Sequence, residues 1–162
     1  MVQFLINFFS SFPHELATFL MAMTPVGELR LALPVAVAVY KLPVWEALFW
    51  SVLGNMVPVT IILMFANRFH SWVHKKSGFF AISWLKQLHR AQEKFKDYEK
   101  YGLLGLMIFV GVPLPMTGAW TGALIAFLLG VPIRHSWPYL LGGVIISALI
   151  TLAVTMGAIR IF

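Results

Sequence analysis

The stretch YGLLGLMIFVGVPLPMTGAWTGALIAFLLGVPI, residues 101–133, decides the fold. None of its 33 positions is charged, and a hydropathy profile alone reads it as one long membrane span. Its prolines contradict that reading. Proline fixes φ, lacks an amide N–H and breaks an α-helix in mid-course. Pro113 and Pro115 therefore divide the stretch into arms of about 12 and about 16 residues, roughly 18 and 24 Å of helix. Neither arm crosses a hydrocarbon core of ~30 Å. The expected object is a hairpin of two short helices around a break, closed at its far end by Pro132 and followed by an uncharged full span from Pro138 to Ile159.

Working back toward the N-terminus, the same order of features returns. His14 to Thr24 is a short apolar run. Thr24-Pro-Val-Gly-Glu-Leu-Arg30 is a cluster of breakers with two charges, and Leu31 to Tyr40 is a second short arm. Pro43 to Asn67 is a full span that must tilt or bend at Pro58. Shifting the chain by 89 residues lays Leu42-Pro43 on Val131-Pro132, Gly54 on Gly143, and the first break on Pro113 to Ala119. If each pair of short arms enters and leaves by one face, each half crosses the membrane once, and the second half is upside down relative to the first. That is the inverted-repeat pattern of many transporters. The expected fold is an all-α integral membrane protein, a single transmembrane domain over residues 1–162. It contains two inverted repeats (about 13–69 and 101–162), each a re-entrant helical hairpin followed by one transmembrane helix, joined by a polar linker over 70–100. Irregular backbone is not tolerated against lipid, so the hairpin tips are expected to line an enclosed, wet cavity.

Composition supports lipid as the solvent. Of 162 residues 60% are hydrophobic and 11% charged, against roughly 25% charged in a soluble domain. A small soluble domain has too much surface for so few charges, and disordered chains are polar and poor in aromatics. The net charge of +6 is unevenly placed: eight of the twelve basic residues lie between Arg68 and Lys100 with three acids, so this segment carries +5. Its apolar flanks favour a cytoplasmic loop held by the positive-inside rule over a nucleic-acid surface. Within it, Phe79, Phe80, Ile82, Trp84, Leu85 and Leu88 alternate with Lys86, His89 and Arg90. This spacing predicts an amphipathic helix, lying in the headgroup plane or packed on the protein's own cytoplasmic face. The absence of cysteine excludes disulfides, thiolate metal sites and Cys nucleophiles. No basic n-region or cleavage site opens the chain, and residues 1–22 read as mature protein.

The scarcity of charge singles out a few residues. Glu28 and Arg30 sit at the first break, where ionisable groups are costly and usually functional. Spacing i, i+2 on a helix does not turn them toward each other, so separate partners are expected. Arg30 is a candidate for an anionic group, aided by the N–H groups opening the second arm. Glu28 is the candidate for proton coupling, with Glu46, read as more interfacial, the second. The second break offers Thr117, a helix cap or a substrate contact, and Trp120, an interface anchor or a cavity wall. Asn55 beside Gly54 is a cavity-facing polar group in the first span. Arg134 and His135 open the last span as headgroup anchors or as phosphate ligands. His70 and His74 have i, i+4 spacing but read as a solvated face, and no metal or cofactor site is expected. No nucleophile elbow, zinc-protease motif, phosphate loop or acidic cluster is present, so an enzyme is not expected.

Pro25-Val-Gly-Glu-Leu-Arg-Leu-Ala-Leu-Pro34 and Gly111-Val-Pro-Leu-Pro-Met-Thr-Gly-Ala-Trp-Thr-Gly122 resemble the signatures of the small multidrug export protein family, across nearly the whole chain. That family is distantly similar to the DedA superfamily, whose members carry two facing re-entrant hairpins and are implicated in moving polyprenyl phosphate or other lipids, some with proton coupling. The resemblance implies roles for Glu28 and Arg30, and more weakly for Arg134. The expected function is a DedA-like transporter of an anionic lipid or lipid-like substrate, such as a polyprenyl phosphate, coupled to protons. The alternatives are an exporter of hydrophobic cations, with Glu28 as counter-charge, and a non-transporting scaffold or lipid scramblase. Two or three spans enclose little volume, so a homodimer in a prokaryotic inner (plasma) membrane is expected, multi-pass, with membrane lipid and substrate as its partners.

Overall fold

A computed structural model describes residues 12–73, 102–114, 117–128 and 131–161 of the chain. Among these residues there are six helices and no strand: α1 His14–Met23, α2 Glu28–Ala38, α3 Val44–Val73, α4 Leu103–Gly111, α5 Ala119–Leu128 and α6 Ile133–Ile161. The helices are placed by punctuation more than by propensity. Pro13 precedes α1, Pro43 and Pro132 precede α3 and α6, and Gly27, in the left-handed region at φ 100°, precedes α2. Proline is preorganised for a helix start and glycine for a reversal.

The short helices hold 10, 11, 9 and 10 residues in chain order, so each reaches roughly 14–17 Å. The second pair is shorter than the arms of about 12 and 16 residues read from sequence: the first ends at Gly111, before the prolines, and the second begins at Ala119. α3 and α6 are the two helices long and apolar enough to cross a bilayer, over Val44–Phe65 and Ile133–Ile159. α6 begins at Ile133 rather than Pro138; Pro138, six residues in, is accommodated inside the helix, as Pro34 and Pro58 are in α2 and α3. A proline within a helix removes one hydrogen bond and bends it without always ending it. The short apolar run at 1–12 lies, except for Phe12, outside the described residues, as does the amphipathic helix expected at 79–90.

The element starts repeat. α4 starts 89 residues after α1, α6 starts 89 residues after α3, and α5 starts 91 residues after α2. The chain also divides into two compact units, one comprising Met1–Pro58 and Val144–Phe162, the other Val59–Gly143. Each unit thus contains one pair of short helices, the first part of the long helix that follows them, and the last part of the other long helix.

Within the first unit, α1 and α2 pack through small side chains. Ala17, Met21, Ala22, Ala32, Val35 and Tyr40 form a buried cluster flanked by Leu20, Leu31 and Leu42. α3 crosses α1 at Gly54, where an added Cβ would fall on the backbone carbonyl oxygen of Phe19 and lie 3.1 Å from the Ala22 Cβ. One turn earlier on α3, the Trp50 ring meets the Phe19 ring edge to face, with centroids 6.4 Å apart. In the second unit, α6 crosses α4 at Gly143, where an added Cβ would lie 2.7 Å from the Met107 carbonyl oxygen and 2.9 Å from the Val110 Cβ. Gly54 and Gly143 are each the eleventh residue of their helix. Both contacts involve backbone, and backbone cannot rotate away.

These crossings carry a prediction whose sign is opposite to helix propensity. Alanine is favoured over glycine in a helix by ~1 kcal/mol. Gly54→Ala and Gly143→Ala should nevertheless destabilise the purified protein, at the upper end of the ~1–3 kcal/mol typical of overpacking. Gly157→Ala, with open space around its Cα, should leave stability unchanged or raise it. Thermal unfolding in detergent, followed by tryptophan fluorescence, reads all three.

Candidate functional site

The first break is built by two consecutive residues in the left-handed region, Gly27 at φ 100° and Glu28 at φ 52°. The second is not glycine, and holding it there costs on the order of 1 kcal/mol. Its side chain is 8% exposed, and Glu28 is the one buried charged residue among the described residues. Arg30 follows, half-buried, and Glu28 acts on it electrostatically. The two charges are near neighbours that interact electrostatically, although i, i+2 side chains on a helix do not face each other. On the N-terminal side of the break the Thr24 hydroxyl donates to the Met21 carbonyl at 2.7 Å, ending α1.

The second break is neutral and closed by a hydroxyl. Thr117, 4% exposed, lies with its Oγ1 2.7 Å from the Val112 carbonyl and 2.8 Å from the Leu114 carbonyl, and accepts the Leu114 N–H at 3.2 Å. The sequence offered it as a cap for the following helix or a substrate contact. Its hydroxyl folds back on the residues that end α4. Trp120 is half-buried on α5 with its indole nitrogen buried.

The remaining candidates are dispersed. Asn55 is 3% exposed, next to the Gly54 crossing, and its Oδ1 has no hydrogen-bond partner among the described residues. Glu46 is half-buried in the first turn of α3, where a carboxylate complements the free N–H groups of the helix start. Arg134 and His135 are exposed in the first turn of α6, suiting a headgroup anchor. Glu28, Arg30, Glu46 and Asn55 belong to one compact unit, and Thr117, Trp120 and Arg134 to the other. His70 and His74 have no described side chains, and among the described residues no cluster of His, Asp or Glu is suited to hold a metal.

Several polar residues were not legible in advance. Ser51, one turn before Asn55 on the same face, is fully buried and its Oγ has no partner among the described residues. Its i, i+4 spacing to Asn55 was the available signal. Tyr40 stacks on His14, with ring centroids 4.7 Å apart and planes 1° from parallel, joining the far ends of α1 and α2. Burial pushes the Tyr40 phenol up from its ordinary pKa. The Trp137 Nε1–H donates to the Thr60 hydroxyl at 3.1 Å, linking α6 to α3 across 77 residues of sequence. No local pattern announces a pair so far apart.

Residues 28–150 match a protein family described as "Putative small multi-drug export protein". No curated protein and no solved structure matches the chain.

The hydroxyl clamp at the second break is open to test. Thr117→Val keeps the shape and removes the donor and acceptor. It should lower stability by about 1–3 kcal/mol, whereas Thr117→Ser should retain most of it. Thermal unfolding of the two variants in the same detergent separates hydroxyl from methyl.

Proposed function

The chain belongs to the small multidrug export protein family, and from that membership we propose that it is a membrane transporter working at the charged break between α1 and α2. The observation that carries this reading is Glu28: a buried carboxylate held in a strained backbone conformation and set against Arg30 in a chain with few charges. Strained, desolvated ionisable groups in membrane proteins concentrate where substrates or ions pass. The substrate is an anionic amphiphile of the lipid-phosphate type. Protonation of Glu28 removes the negative charge that balances Arg30, and the guanidinium then takes the anionic group through charge-assisted hydrogen bonds. Loss of the proton restores the internal pair and expels the anion. Proton movement and anion movement are thereby linked through one pair of side chains.

The architecture proposed around this site is an inverted repeat with two re-entrant hairpins. Its supports are the return of the helix starts after 89 to 91 residues and short helices of 9–11 residues, too short to span. The basic segment between Arg68 and Lys100 supports a cytoplasmic linker by the positive-inside rule. The first hairpin then opens from outside and the second from the cytoplasm. The protein resides in a prokaryotic inner membrane as a homodimer, since two full spans enclose little volume.

A second reading, export of hydrophobic cations, is favoured by the family's description and by the deeper burial of Glu28 relative to Arg30. The two separate by binding to purified protein in nanodiscs. A polyprenyl phosphate should bind the wild type and lose affinity about tenfold or more in Arg30→Ala. Binding of tetraphenylphosphonium that is lost in Glu28→Gln yet kept in Arg30→Ala would replace the anionic reading with the cationic one. Failure of both ligands with all three proteins would leave a scaffold or scramblase.

A further inference from the structure

We propose that the crossing of α1 and α3 at Gly54 is a binding site for an alkali-metal cation, with Na+ its probe. Two unpartnered side-chain oxygens and one backbone carbonyl border it. Ser51 and Asn55 are one helical turn apart on the buried face of α3, 0% and 3% exposed, and neither Ser51 Oγ nor Asn55 Oδ1 has a hydrogen-bond partner among the described residues. Gly54 lies between them, and the Phe19 carbonyl oxygen presses directly on its Cα, in the space a Cβ would take.

Buried polar atoms in folded proteins are paired, and each exception asks for an occupant or a role. Two exceptions one turn apart, at a proline-interrupted point of a membrane helix, match the way such helices present carbonyl and side-chain oxygens to an ion. All three atoms are neutral hard oxygens. That excludes transition metals, which call for imidazole or thiolate, and disfavours divalent cations, which draw on carboxylates. A monovalent cation is held by neutral oxygens alone, as in carbonyl-lined filters. The close approach also explains why glycine is required at 54: a Cβ there would fall on the Phe19 carbonyl oxygen. Gly143, at the equivalent crossing of α6, is followed by Val144, and the residue one turn before Val144 is Leu140, so the matched crossing has no side-chain oxygens at the matching positions. The site belongs to the first hairpin only.

Cation binding needs no transport activity, so the test does not depend on the reading of Glu28 and Arg30. The melting temperature of the purified wild type in detergent should be about 3 °C or more higher in NaCl than in choline chloride at equal ionic strength. The increment should vanish in Asn55→Leu and shrink in Ser51→Ala. Equilibrium dialysis of the wild type with radiolabelled sodium, displaced by unlabelled NaCl, reads the site without any variant. Equal melting temperatures in NaCl, KCl, LiCl and choline chloride, with no displaceable sodium, would overturn the proposal and leave an ordered water as the occupant. A sodium increment that persists undiminished in Asn55→Leu would overturn it equally, by placing the ion elsewhere.

Discussion

Two helices in lipid gain little from hiding apolar surface, since the solvent is as apolar as they are. Association then depends on how closely backbones approach. In this chain the closest approaches are at Gly54 and Gly143, where a long helix rests on the carbonyl of a short one. Each crossing locks the first arm of a hairpin against the long helix that follows it. The alanine-lined contact between α1 and α2 extends the same logic to the hairpin itself. Short helices of 9–11 residues have little stability alone. Their order depends on being held at these contacts, and the position of each break follows from them.

The two breaks share a place in the repeated pattern but differ in chemistry. One is charged and strained, built on Gly27 and Glu28 and partnered by Arg30. The other is neutral and spends its threonine on its own loop. Under the proposed function the charged break carries the chemistry and the neutral one shapes the path. The unpartnered oxygens beside Gly54 fall on the charged side as well.

Much of the fold was readable because proline and glycine punctuate it. Pro113 and Pro115 split an uncharged stretch that hydropathy alone would join, and the shift of 89 residues from Gly54 to Gly143 matches the spacing of the helix starts. The errors also trace to proline. Sequence treats Pro138 as the start of a span, yet a helix absorbs a proline at the loss of one hydrogen bond, and α6 runs through it from Ile133. Site geometry was less legible. The positive φ of Glu28 is a backbone conformation that its residue type does not announce. The inward fold of Thr117 depends on carbonyls left free at the end of α4, and the link from Trp137 to Thr60 depends on tertiary packing. These are consequences of backbone conformation and packing, which residue type alone does not specify.

The central claim is that the two breaks face opposite sides of the membrane. The chain contains no cysteine, so single cysteines report without background. Val26 and Leu114, one in each break, are each 50% exposed. Labelling of Val26→Cys and Leu114→Cys with a membrane-impermeant maleimide, in intact cells and in inverted vesicles, measures the sidedness directly. The account predicts that position 26 labels from outside and position 114 from the cytoplasmic side. Labelling of both from the same side would contradict it.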